Sequence, residues 1–419
     1  MRFLVLTQYY PPEIGGAAIR LENMAQQLVC LGHEVEVLTG RPNYPRGAFF
    51  DGKGCTLYSR EERKGITVHR VWLYPAVGGG LRRMINYISF ALASSIGVFG
   101  ARRPDYLFVE SPPLLASIPA RIAKLVWGVP YIFNVADLWP DAAVENGFLD
   151  EGSLAHRLLT FLENWSYRGA AYVNAVTEGI RETLISRKSV PTEKVLFFPN
   201  GADITHYQPR DPEIGLKYEL GLDGKKIILW AGSIGQAHGL EYVLQAAKLL
   251  DNYPDIHFLF LGDGSNRPQL ERLKNDLALR NVTFKDPVPS DDLPPYYSIA
   301  ECGLASLTAL PIHVGARPSK IFAVLASGKP VIFVGAGECA RLIESANAGI
   351  VIPPQCPAIM AAEVLRLIGD PNRIRQLGKN GRKFVEENYR WSDIVSKWVA
   401  NLRPKPASTL KPTSVTATS

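Results

Sequence analysis

Short apolar runs alternate along the chain with longer segments whose apolar positions recur every three or four residues. The short runs have the signature of buried strands, the longer segments that of helices with one apolar face. Runs at 3–7, 34–38, 68–73, 106–110, 131–135, 172–175 and 195–198 make a first series. Runs at 226–230, 257–261, 282–284, 302–305, 331–334 and 350–352 make a second. Segments such as 17–31, 240–250 and 269–279 carry the helical spacing. Strands alternating with helices predict parallel sheets covered on both faces.

The second series restarts after Pro199-Asn200-Gly201-Ala202-Asp203, which is turn chemistry, and Gln208-Pro209-Arg210-Asp211-Pro212, which reads as a linker. The expected domains are therefore 1–205 and 206–387, an α/β arrangement of two Rossmann-like, doubly wound halves. Two such halves facing one another leave a cleft at the carboxyl ends of their strands, where sheets of this kind hold ligands. An amphipathic helical segment at 382–402 ends the fold, and 404–419, rich in Thr, Ser and Pro, is expected to be disordered.

Composition sharpens the picture by exclusion. The chain has 419 residues, too many for one ordinary core, with 47% hydrophobic and 21% charged positions. A net charge of +6 suits an anionic ligand or an anionic lipid surface, and no Lys/Arg run argues for nucleic acid. Cys30, Cys55, Cys302, Cys339 and Cys356 form no C-x-x-C pair, so reduced thiols in a cytoplasmic protein are expected. The first apolar run leads into Tyr9-Tyr10-Pro11-Pro12 and reads as a strand, not a signal peptide. No run reaches the roughly 20 apolar residues of a membrane span. The nearest, 84–99, carries Asn86, Ser89, Ser94 and Ser95, with Arg82-Arg83 before it and Arg102-Arg103 after. It reads equally as a core helix and as a helix lying in a membrane interface, giving peripheral contact through 82–99. None of the seven histidines has H-x-x-x-H spacing, so no metal site is expected, and no G-x-S-x-G is present.

Four places carry candidate chemistry. Gly15 and Gly16 lie between the first strand and first helix, where a glycine turn and a helix tip together suit phosphate. Gly232, Ser233 and Gly235 repeat the arrangement at the opening of the second half, and Gly262 follows a later strand there. Pro318 suits the first turn of a helix and Gly328 its end, which puts Ser319 and Lys320 at the tip with Arg317 just before. A cation at a helix start opposes the dipole, so Arg317 and Lys320 are expected to share an anionic ligand. Asp137 follows the strand at 131–135 and is expected to orient a hydroxyl. Asp141 is read as a helix cap and Glu178 as a capping-turn residue.

Taken together, Tyr9-Tyr10-Pro11-Pro12 with Gly15-Gly16, Gly32-His33-Glu34-Val35, and Pro42-Asn43-Tyr44-Pro45 resemble the first domain of glycosyltransferase family 4. Ala231-Gly232, Gly262-Asp263-Gly264 and Ala326-Ser327-Gly328-Lys329-Pro330-Val331 resemble its second. The likeness runs over about residues 1–400, nearest to the subgroup that builds bacterial surface polysaccharides, including colanic acid and O-antigen N-acetylfucosaminyltransferase-like enzymes. It implies a GT-B fold whose last helix, 388–403, returns to the first domain. It implies a retaining transfer without metal or cofactor, from a nucleotide diphosphate-sugar to a lipid-linked or oligosaccharide acceptor, in the cytoplasm or at the inner face of the membrane. The catalytic residues would be Asp137 and Lys320. The donor would be held by Gly15, Gly16, Gly232, Ser233, Gly235, Gly262, Arg317, Ser319 and Lys320. Two family glutamates fall at Gly315 and Ala323, and the family's Arg and Lys after the glycine loop fall near Gln236 and His238, so Arg317-Pro318-Ser319-Lys320 is expected to supply the missing charge. The absent carboxylates motivate one alternative, a non-catalytic nucleotide-sugar-binding or scaffold protein of a polysaccharide assembly complex; a second, an epimerase on the same architecture, needs additional cleft carboxylates and histidines, of which the sequence offers no convincing set. Sugar, nucleotide base, acceptor and oligomeric state are not read from the sequence.

Overall fold

The computed structural model describes residues 1–44, 46–52, 56–78 and 80–402, organised by two sheets. The tail at 404–419 lies outside the described residues, as do Pro45 and Cys55. The first sheet contains β1 (Arg2–Leu6), β2 (Glu34–Gly40), β3 (Tyr58–Arg63), β4 (Ile66–Val71), β5 (Tyr106–Ser111), β6 (Tyr131–Val135), β7 (Tyr172–Ala175) and β8 (Val195–Phe197). Its spatial order is β3-β4-β2-β1-β5-β6-β7-β8. The second contains β9 (Lys226–Ala231), β10 (Ile256–Leu261), β11 (Val282–Lys285), β12 (Ala300–Ser306), β13 (Val331–Val334) and β14 (Gly349–Ile352), in the order β11-β10-β9-β12-β13-β14. In each sheet the winding reverses at the first strand, with β1 between β2 and β5 and β9 between β10 and β12. A reversal of this kind opens a crevice beyond the strand ends.

The central strands are mostly apolar because both faces are covered. β5, β6 and β10 are buried at every position. β3 departs from this and was absent from the predicted series. Its sequence, Tyr-Ser-Arg-Glu-Glu-Arg, is almost entirely polar, and it pairs antiparallel with β4 as an edge. Lys64 and Gly65, both at positive φ, turn the hairpin. Charged side chains on an edge strand discourage pairing with other chains, so its apolar signal is missing.

The segment predicted as one helix over 382–402 is two: Pro371–Asn388 and Trp391–Ala400. Between them Tyr389 packs against Phe322 and Phe384, and its carbonyl accepts the Ala202 N–H at 2.6 Å. The break redirects the chain. The Trp391–Ala400 helix then lies on the first sheet, where Trp398 meets Phe3, Phe108 and Phe198 and donates to Asn174 at 3.0 Å.

Candidate active site

The loops after β1, β6 and β7 of one sheet face those after β9, β10 and β12 of the other across two adjoining chambers of 270 and 550 Å³. Arg20, Asn200, His238 and Pro318 line both. Gly15, Gly16, Gly232, Ser233, Gly262, Ser319 and Lys320 line the smaller chamber; Asp137 and Arg317 line the larger. Gly235 is not among the lining residues of either.

The smaller chamber is built from two helix starts. The Gly16–Cys30 helix opens at Gly15 with no side-chain cap, so its first-turn N–H groups remain available. Opposite it, the Lys320–Ala326 helix opens at Ser319, two turns long and ended by Gly328 at φ +70°. Pro318 thus precedes the cap instead of entering the first turn. The tips nearly touch: a Cβ on Gly16 would lie 3.2 Å from Ser319 Oγ. Lys320 Nζ sits 2.9 Å from the centroid of the Trp230 ring and beside Gly232. It is buried and, among the described residues, hydrogen bonds nothing. Burial holds its ammonium well below the usual lysine range. An unpaired buried cation is costly, and an anion in the chamber relieves that cost.

The floor of this chamber is two interlocked loops. A Cβ at Gly262 would stand 1.9 Å from the Gly232 carbonyl, so glycine alone permits the approach. The Ile234 N–H donates to the Asp263 carbonyl at 2.9 Å, fixing the loops to each other.

Other predicted residues are placed differently from their expected roles. Arg317 is buried; it donates to Tyr389 Oη at 2.7 Å and to the Val176 carbonyl at 3.1 Å, joining the second domain to the first. Asp141 is the first residue of the Asp141–Glu145 helix, not its cap, and pairs with Lys188 at 2.7 Å. Glu178 opens the Glu178–Ser186 helix, but Thr177 caps it. The N–H groups of Glu178 and Gly179 donate instead to Glu338 of the other domain, at 3.2 and 2.9 Å. Nearby, the Ile312 N–H donates to Glu145 at 2.7 Å. At this seam Gly315 meets Gly179: a Cβ on Gly315 would lie 3.1 Å from the Gly179 Cα.

Asp137 opens onto the larger chamber, yet the cleft walls desolvate it and push its carboxyl up to about 6, against the pull of Arg20. The sequence reading missed the group behind it. Arg20 is buried, donates to Glu110 and reaches Asn200 Oδ1 at 3.4 Å, while Asn134 donates to the other Glu110 oxygen at 2.9 Å. A charged residue one turn into the helix after Gly16, and an acid inside the apolar run of β5, were its available signals.

Away from the cleft, the Gly80–Gly97 helix buries Asn86, Phe90, Ala91, Ser94 and Gly97. Leu81, Ile85, Ile88, Leu92 and Ile96 form an exposed stripe on another face. The Ser117–Trp127 helix packs beside it and exposes Leu125 and Val126. Of the four bracketing arginines, Arg83 is engaged by Tyr9, Tyr87 and the Ala76 carbonyl, and Arg102 by Glu36; Arg82 and Arg103 are exposed. No helix among the described residues is long and apolar enough to cross a membrane.

Comparison with known proteins agrees with this architecture. Residues 15–201 match the Glycosyl transferase 4-like domain and residues 217–384 match Glycosyl transferases group 1. The chain is 27% identical over 414 residues to WcaI of Escherichia coli (strain K12), named as a colanic acid biosynthesis glycosyl transferase, covering 96% of this chain and 100% of that one. Sucrose-phosphate synthase from Thermosynechococcus elongatus superposes with a TM-score of 0.74 at 18% identity, over 96% of this chain and 98% of the other. Anabaena Alr3699/HepE, solved in complex with UDP-glucose, gives 0.72 at 18%, over 96% and 100%. At these identities the structures speak for the fold, which is GT-B.

Proposed function

The chain belongs to glycosyltransferase family 4, and from that premise we propose that it moves a sugar from a nucleotide diphosphate-sugar to a lipid-linked saccharide during synthesis of a bacterial surface polysaccharide. The observation that carries the donor reading is the buried ammonium of Lys320, set against the Trp230 ring with no hydrogen-bond partner among the described residues, at the meeting of two helix tips. A diphosphate in the smaller chamber supplies its missing partner. HepE, a structural relative, holds UDP-glucose, and WcaI is named for colanic acid biosynthesis; both fit the reading.

As the sugar departs, negative charge grows on the diphosphate. Lys320 and the N–H groups near Gly15, Gly16 and Ser233 are fixed donors aimed at that charge, while the Gly232 N–H is spent on the Leu261 carbonyl at 2.9 Å. In this reading they do the work a metal ion does elsewhere, so chelator should leave the rate unchanged. The departing phosphate oxygen takes the proton of the acceptor hydroxyl on the same face, and the product keeps the donor's anomeric configuration. Asp137 orients a hydroxyl in the larger chamber. Arg317 holds the helix tip against the first domain. The exposed stripe from Leu81 to Ile96 rests on the inner face of the membrane, where a lipid-linked acceptor is presented.

A thermal-shift screen with UDP, GDP, dTDP and ADP identifies the donor class. Lys320→Ala should abolish the shift and lower turnover about 100- to 1000-fold with the fold intact. Near-normal turnover in that variant overturns the reading.

A further inference from the structure

His238 stands on the wall common to both chambers. Its loop is clamped to the end of β12: the Ser306 hydroxyl donates to the His238 carbonyl at 2.6 Å, and the Thr308 N–H donates to the Ala237 carbonyl at 2.9 Å. The ring itself is held on two sides. Trp230 meets it edge-on with centroids 4.9 Å apart, and its Nδ1 lies 3.1 Å from the Ser306 carbonyl. A carbonyl oxygen only accepts, so Nδ1 carries the proton. Burial, with Lys320 beside it, pushes the imidazole pKa down to about 3, so the ring is neutral at physiological pH. A neutral imidazole protonated at Nδ1 presents a bare lone pair at Nε2. Among the described residues no group donates to Nε2.

The lone pair selects its partner. It repels a phosphate oxygen, and phosphate charge already has Lys320 in the smaller chamber. On the other side of His238 the larger chamber is open, with Asp137 on its wall. His238 lines both chambers, so it borders the way from a diphosphate against Lys320 to a sugar in the larger chamber. We propose that His238 Nε2 accepts a hydrogen bond from a hydroxyl or amide N–H of the transferred sugar, so that this residue reads the sugar and leaves the phosphates to Lys320. The inference rests on the donor reading above and adds a sugar-contacting residue to it.

Calorimetric titration with UDP and UDP-glucose, and with the corresponding GDP, dTDP and ADP pairs, separates the two. His238→Phe keeps a ring against Trp230 but has no acceptor. It should weaken the nucleotide-sugar about tenfold while holding the free nucleoside diphosphate within twofold. His238→Gln retains an acceptor oxygen and should recover most of the loss. Lys320→Ala, by contrast, should weaken both ligands together. Equal loss of nucleotide and nucleotide-sugar in the Phe and Gln variants, or no loss of either, overturns the assignment of His238. A wild-type chain that binds none of the nucleotides overturns the donor reading, and the His238 assignment falls with it.

Discussion

Asp137 shows what one carboxyl reveals about its surroundings. Its pKa is raised to about 6, with desolvation the larger influence and Arg20 the weaker, opposing one. The folded chain therefore favours its protonated form, and ionising it works against stability as pH rises through about 6. If the ionised carboxylate orients a hydroxyl, kcat/KM should fall about tenfold per pH unit below 6. Asp137→Asn should lower the rate and remove that limb from the profile, while the fold becomes no less stable at pH 8. A limb that survives in the Asn variant places the titration elsewhere. The placement of Lys320 and Asp137 on the chamber walls was legible in the sequence because each sits at a strand end or helix tip, where local pattern alone marks a residue. Arg20 and Glu110 were not, since their pairing spans 90 positions and has no local signature.

At the scale of elements, the missing glutamates gain a physical account on one side. Gly315 lies where its own Cβ would press on the backbone of Gly179, so the loop that precedes the Lys320–Ala326 helix passes the start of the Glu178–Ser186 helix with no room for a side chain. Ala323 differs: it lines the smaller chamber and is only partly buried. Gly315→Glu, which restores the family residue, should therefore force the seam apart at a cost of about 1–3 kcal/mol. A lowered Tm and a larger radius of gyration by solution scattering would register it; an unchanged Tm refutes the packing argument. Strands were legible wherever both faces are buried, because a continuous apolar run results. β3 escaped because an edge strand carries charge, and the break at Tyr389 escaped because helical periodicity continues on both sides of it.

Over the whole molecule, two surfaces matter beyond the chambers. The stripe on the Gly80–Gly97 helix is large, apolar and exposed, with Leu92 at 65% and Ile96 at 79%. Leu92→Ser with Ile96→Ser should leave the fold unchanged and weaken co-sedimentation with anionic phospholipid vesicles at least tenfold. Equal recovery of wild type and variant means the stripe does not meet lipid. The seam is the second surface. Glu338 spans it to the tip of the Glu178–Ser186 helix, Glu145 to Ile312, and Arg317 to the Val176 carbonyl. Their partners lie far along the chain, 159 positions in the case of Gly179 and Glu338, so composition and periodicity say nothing of them.

Those clasps stand beside the larger chamber, whose wall includes Glu145, Gly179, Ile312 and Arg317, which gives them a kinetic meaning. If each turnover unfastens them to admit cargo and again to discharge it, the pace of the catalyst depends partly on contacts remote from bond making. Glu338→Ala removes about 1 kcal/mol of clasp and should quicken discharge of the spent nucleotide about fivefold, a gain that stopped-flow displacement would read directly and that an unaltered exit rate would deny.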